Sequence, residues 1–163
     1  MLGPHIKRKR DGRFALKLSM PERGLLRVLP KEAQGLLERP DDPVVRRVFP
    51  VAYPGDDVAE ESYRDLVGGE LVRKHRDELD CLSETADSSD IDGEQLGQWL
   101  GALEVLRLML GTSLDVSEDP EELPDSDPRA PQVAVYRYLS WLQGEVIDAL
   151  ASSLPSGGRE LEA

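Results

Sequence analysis

A chain of 163 residues is long enough for one domain with a sizeable core, but its single cysteine excludes an intramolecular disulfide and its 5% aromatic content argues against a strand-rich core. Charged residues make up 32% and the net charge is −12, which suits amphipathic helices and disfavours a body that binds nucleic acid over its whole surface. The charge is unevenly spread: residues 1–50 carry twelve Lys/Arg against six Asp/Glu, and residues 51–163 carry eight against twenty-six.

Residues 5–18, HIKRKRDGRFALKL, have the pattern of a β-hairpin. Asp11-Gly12 suits a two-residue type I′ turn, and Phe14, Leu16 and Leu18 alternate to give one apolar face. Lys7, Arg8, Lys9, Arg10 and Arg13 make this hairpin the basic arm of an otherwise acidic protein. They are the candidate contacts for DNA or for an acidic partner, unless they lie against the protein's own acidic surface.

Ser19 and Glu22 have the spacing of a capping box and start a helix with Leu25, Leu26 and Leu29. Pro30 is expected to break or kink it, so that a second short helix with Ala33, Leu36 and Leu37 runs up to Pro40. Two short helices at a proline allow a helix-turn-helix reading, but the turn glycine is missing and only Lys31 and Arg39 on the second helix are basic. Pro40–Pro54 is a proline-punctuated connection whose Val44, Val45, Val48, Phe49 and Tyr53 are expected to dock on the core.

The next helix spans roughly Asp57–Thr85, with Val67, Leu71, His75, Leu79 and Leu82 at helical spacing. Gly68-Gly69 weakens its middle by about 1 kcal/mol per glycine. Asp87–Asp92 reads as a polar loop, with Asp92 as the N-cap of the following helix. Gly93, Gly97 and Gly101 fall on one face of that helix and would let another helix approach closely. Trp99–Leu114 is apolar on nearly every side and reads as the buried central helix. It is too short for a membrane span of about 20 residues. Residues 115–131 form an acidic loop with seven carboxylates and four prolines, expected to be mobile. The last helix spans about Val133–Leu154, and residues 155–163 are expected to fray as a tail. The whole reads as one mainly α domain over residues 1–154, a bundle of four to five helices with an N-terminal β-hairpin.

Specific chemistry is scarce. The chain has two histidines and no HExxH, paired CxxC or GxxxxGK[ST]. A calcium loop aligned on Gly93 would put Ser88 at the first ligand and Trp99 where the bidentate glutamate belongs, so it fails. His75 reads as a hydrogen-bonded core residue. Cys81, the one candidate redox group, neighbours Asp80 and Glu84, whose charge disfavours the thiolate. Arg107 is the cation of the central helix. It is expected to bridge carboxylates, with Glu104 one turn away and Glu84 or Glu145 further off. The functional alternative is an anion- or partner-binding arginine at a pocket mouth.

The stretches FALKLS, ERGLLRVL, RRVFPVAYPGDD, WLGALEVLRLMLGT and VYRYLSWLQGEVIDAL occur in that order across residues 5–153. Together they resemble an actinobacterial domain-of-unknown-function family, some of whose members are oxidative-stress transcriptional regulators of the AosR type. The resemblance implies a cytoplasmic, mostly helical, non-enzymatic protein with no cofactor. It implies a role in transcription; direct DNA binding would rest on the basic hairpin, a protein partner such as RNA polymerase or a sigma factor suits the −12 charge better, and no membrane partner is expected. It supplies no catalytic residues. Two other readings stay open: a small-molecule site or enzyme near Arg107, and an adaptor in regulated proteolysis. An intramolecular thiol switch needs two cysteines, so a redox role for Cys81 would have to be intermolecular.

Overall fold

The computed structural model describes residues 3–39, 41–46, 48–49, 51–114 and 123–154. Residues 115–122 of the expected acidic loop, the whole expected tail and, in the proline-punctuated connection, Pro40, Arg47 and Pro50 lie outside the described residues. Among the described residues three short strands, β1 (Ile6–Arg8), β2 (Phe14–Leu16) and β3 (Asp90–Ile91), accompany five helices. These are α1 (Met20–Leu37), α2 (Pro43–Arg46), α3 (Asp57–Thr85), α4 (Gly93–Leu114) and α5 (Ala130–Ser152). The mainly α architecture with an N-terminal hairpin is the one expected.

β1 and β2 pair antiparallel with Ile6 opposite Leu16 and Arg8 opposite Phe14. The turn differs from the expected type I′. The Gly12 amide donates to the Lys9 carbonyl, the Lys9 amide to the Arg13 carbonyl, and Gly12 sits at φ +88°. Three residues, Arg10 to Gly12, therefore make the connection, with glycine in the left-handed position that such loops require. The Asp11 carboxylate accepts from the Arg13 amide at 2.9 Å, which favours the longer turn. β3 comes from the segment read as a polar loop. It adds to β2 with Phe14 opposite Ile91, giving the order β1-β2-β3.

Ser19 and Glu22 form the capping box: the Ser19 hydroxyl accepts from the Glu22 amide, and the Glu22 carboxylate accepts from the Ser19 amide at 2.6 Å. The helix does not end at Pro30. It runs unbroken to Leu37 because Leu26, Pro30, Ala33 and Leu37 form one buried stripe at helical spacing. Burial of the ring and of both flanking turns offsets the lost backbone hydrogen bond. The helix-turn-helix reading falls with the break.

α2 and the turn after it seat Val45 and Val48 in the core, with Val44 and Phe49 packed at its edge. Tyr53 was expected there but is half exposed, its ring against Tyr63. α3 buries Leu79, Cys81 and Leu82 in its C-terminal half, whereas the N-terminal half leaves Val58 and Leu66 exposed. α4 is the central element, packed on α1, α2, α3 and α5. Its reciprocal N-terminal bonds link Asp92 and Gln95: the Gln95 amide donates to Asp92 at 2.7 Å, and Gln95 Oε1 accepts from the Asp92 amide at 3.0 Å. Trp99, Leu103, Leu139 and Leu142 are fully buried where α4 meets its neighbours. No described helix is long and apolar enough to cross a membrane.

Candidate functional site

The basic hairpin is tied down by the protein's own groups. Lys9 Nζ and Arg13 both hold the Asp90 carboxylate at 2.8 Å, joining the turn to β3. Hydrogen bonds from Lys9 and Arg13 keep the Asp90 carboxyl below its ordinary range. Arg8 donates to the Ser152 carbonyl at 3.2 Å, placing a cation at the C-terminus of α5, where the helix dipole favours it. The His5 amide donates to the Glu145 carboxylate at 3.1 Å. Lys7 and Arg10 remain exposed. Three of the five candidate cations thus have partners within the chain, through contacts that stay open to solvent.

Arg107 lies at the α4–α5 seam. Its Nε donates to Ser140 Oγ at 2.9 Å, its Nη1 to Gln143 Oε1, and its guanidinium lies 5.6 Å from the Tyr136 ring centre. Glu104 Oε2 is 3.6 Å away and also accepts from Gln143 Nε2 at 2.7 Å. Glu84 and Glu145 take no part. The Arg107 side chain is 26% exposed and that of Glu104 48%, so the expected buried charge network is a half-exposed lattice of mainly neutral groups. Water still screens the pair, and removing it costs far less than stranding a buried ion.

Cys81 is 9% exposed, on the α4 side of α3, with Sγ 3.9 Å from the Gln95 carbonyl oxygen. Burial and the nearby Glu84, Asp92 and Glu94 charges push the thiol pKa up. α3 runs through Gly68-Gly69 without a break that would bring Arg73 or Lys74 to it. Cys81 is therefore expected to alkylate slowly in native protein and rapidly once unfolded, and to give little disulfide dimer in peroxide. Timed iodoacetamide labelling and non-reducing electrophoresis, with Cys81→Ser as control, measure both. Rapid, complete dimerisation of the native protein would refute this.

His75 departs from expectation. Its Nδ1 is buried without a hydrogen-bond partner among the described residues, and its ring tilts against Phe49 at 5.8 Å. Burial, with Lys74 beside it, lowers its pKa and favours the neutral ring.

Two groups escaped the sequence reading. The Arg23 guanidinium donates to four carbonyls, those of Leu16, Leu18, Ala86 and Ser88, at 2.8–3.2 Å. It clasps β2, the start of α1 and the α3–β3 connection together. Glu78, on α3, is the one buried acid among the described residues, at 6% exposure. Its carboxylate lies over Gly101 of α4, where any β-carbon would overlap it. Burial raises its pKa, opposed by Lys74. The glycine spacing on α4 signalled a close approach, but it could not show that a carboxylate fills it. No cluster of ligands suited to a metal ion occurs among the described residues.

The family described as Domain of unknown function (DUF2017) matches residues 4–150. Among curated proteins the chain is similar to the Oxidative stress regulator AosR of Mycobacterium tuberculosis and of Mycobacterium bovis, 28% identical over 137 residues. The Putative oxidative stress regulator AosR of Mycobacterium leprae is 28% identical over the same length. Each match covers 73% of this chain and 63% of the relative, so it spans less than two thirds of those proteins. No solved structure matches the chain.

Proposed function

The chain belongs to the DUF2017 family, and from that premise we propose that it is a non-enzymatic regulatory protein of the cytoplasm that acts in transcription through a protein partner. Its relatives' name, oxidative stress regulator, supports a regulatory role at the level of the family. The observation that favours protein over DNA is the internal use of the basic arm. Lys9 and Arg13 are spent on Asp90 and Arg8 on the end of α5, within a chain of net charge −12. Lys7 and Arg10 are too few to hold a phosphate backbone against an acidic body. RNA polymerase or a sigma factor would suit this reading as the partner. One domain spanning residues 1–154 is part of the same proposal.

Affinity capture from an extract of the native host, run with and without nuclease, tests it. A protein partner retained after nuclease treatment is the expected result, with no direct DNA binding at low salt. Direct contact by four or five cations would instead give a log–log salt slope near −0.9 per phosphate neutralised. If such a slope appears and flattens when Lys7 to Arg10 become serine, the protein-partner reading gives way to DNA binding.

A further inference from the structure

The middle of α3 faces the end of α2 and the turn after it across a cavity of about 210 Å3. Phe49, Tyr63, Val67 and Leu71 are among its walls, and each keeps part of its surface open. Apolar surface left to water is what the body of a ligand gains by covering. Gly68 and Gly69 complete the wall on the α3 side. Glycine inside a helix is disfavoured relative to alanine, and no packing accounts for this pair. Nothing lies within 4 Å of where a β-carbon on either would sit. Their missing side chains leave the cavity unfilled.

The charge of the lining runs against that of the chain. The protein carries 32 Asp/Glu against 20 Lys/Arg, yet the cavity is lined by two arginines, Arg46 and Arg64, and by no carboxylate. Arg64 is held from outside the cavity. Its Nε donates to Glu60 Oε1 at 3.1 Å, while Glu60 Oε2 accepts from the amides of Ala52 and Tyr53. The terminal nitrogens of Arg64 have no partner among the described residues. The Arg46 guanidinium has one ion-pair partner among them, Asp41, 3.8 Å away and fully exposed. A guanidinium with free nitrogens is matched best by a carboxylate, which it can hold through two hydrogen bonds. One turn of a helix, about 10 Å across and 5.4 Å long, would need about twice this volume, so the size favours a small molecule over a partner's helix.

We propose that this cavity binds a small organic acid, with an apolar body of about seven carbons against Phe49, Tyr63 and the two glycines and its carboxylate on Arg46 and Arg64. The body size follows from the volume, which has room for roughly seven groups of water or methylene size. Apolar burial supplies the affinity, and the guanidiniums select the anion over a neutral molecule of the same shape. The proposal goes beyond regulation through a protein partner: it gives the protein a chemical signal to receive, and its test does not depend on partner capture.

The full chain, labelled with 15N, is titrated with phenylacetate and with octanoate, each compared with its uncharged amide, and followed by NMR at the Gly68 and Gly69 amides. The expected result is saturable, one-site binding of at least one acid, with its amide about tenfold weaker. Replacing Arg46 and Arg64 together by glutamine should weaken the acid to the level of its amide. Gly68→Leu should abolish binding by filling the cavity while the urea midpoint holds or rises, since leucine favours the helix. The assignment is overturned if neither acid saturates, if acid and amide bind equally, if the double arginine variant binds as wild type, or if Gly68→Leu still binds. Shifts of the same amides on dilution of the protein alone would mean that a second copy covers the cavity, and would overturn it as well.

Discussion

Trp99→Ala is expected to destabilise the protein by about 3–5 kcal/mol, the range for removing a buried aromatic side chain from a core. Trp99 is fully buried in the second turn of α4, and its indole Nε1 donates to Thr85 Oγ1 at 2.7 Å. That hydroxyl in turn donates to the Cys81 carbonyl at 2.6 Å. Two losses therefore combine: the volume of the ring and a buried donor–acceptor pair that joins α3 to α4. Thr85→Val separates them, because it keeps the volume and removes the hydroxyl. It should cost about 1–3 kcal/mol, the penalty for leaving a buried polar group unpaired. Domains of this size are stable by about 5–15 kcal/mol, so Trp99→Ala threatens folding outright. Urea denaturation of both variants measures the effects, with Trp141 fluorescence as the remaining tryptophan signal. A Trp99→Ala cost below about 1 kcal/mol would mean that α4 is not the centre of the core.

Arg23→Met is expected to cost on the order of 3 kcal/mol, since each hydrogen bond to a charged group contributes about 1.5–3 kcal/mol and the four share one side chain. The carbonyls of Leu16, Leu18, Ala86 and Ser88 lose their donor together. Arg23→Lys rescues little, because an ammonium cannot span the four acceptors that the planar guanidinium reaches. The damage should be local first. The Leu16 amide, which donates to the Ser89 carbonyl at 2.9 Å beside the clasp, is expected to exchange faster than amides in the middle of α4. Native-state hydrogen exchange separates this from a global loss of stability. Unchanged exchange at Leu16 in Arg23→Met would show that pairing of β2 with β3 does not depend on the clasp.

Short-range rules explain what was legible. Ser19 with Glu22 and Asp92 ahead of α4 act through hydrogen bonds three residues long. Their positions follow from the chain itself. The limits of α3 and the placement of the hairpin have the same origin. The density of apolar groups in Trp99–Leu114 determined that α4 would be central, because no other packing hides every face of a helix.

The tertiary structure decided everything that depends on a neighbour distant in the chain. Pro30 stays inside α1 because the core buries its ring along with Leu26 and Ala33, which local propensity does not weigh. Asp90–Ile91 becomes a strand only because β2 offers it an edge. Of the three glycines in register on α4, Gly93 sits beside the Phe14 ring, Gly97 faces open space and Gly101 receives Glu78. The sequence left open whether Lys9, Arg13 and Arg8 contact DNA or an acidic partner or lie against the protein's own surface, and only the fold brings Asp90 and Ser152 to them. Hydrophobic pattern and capping fix an element from within a few residues. Which charge meets which, and which carboxylate loses its water, depends on where whole helices come to rest.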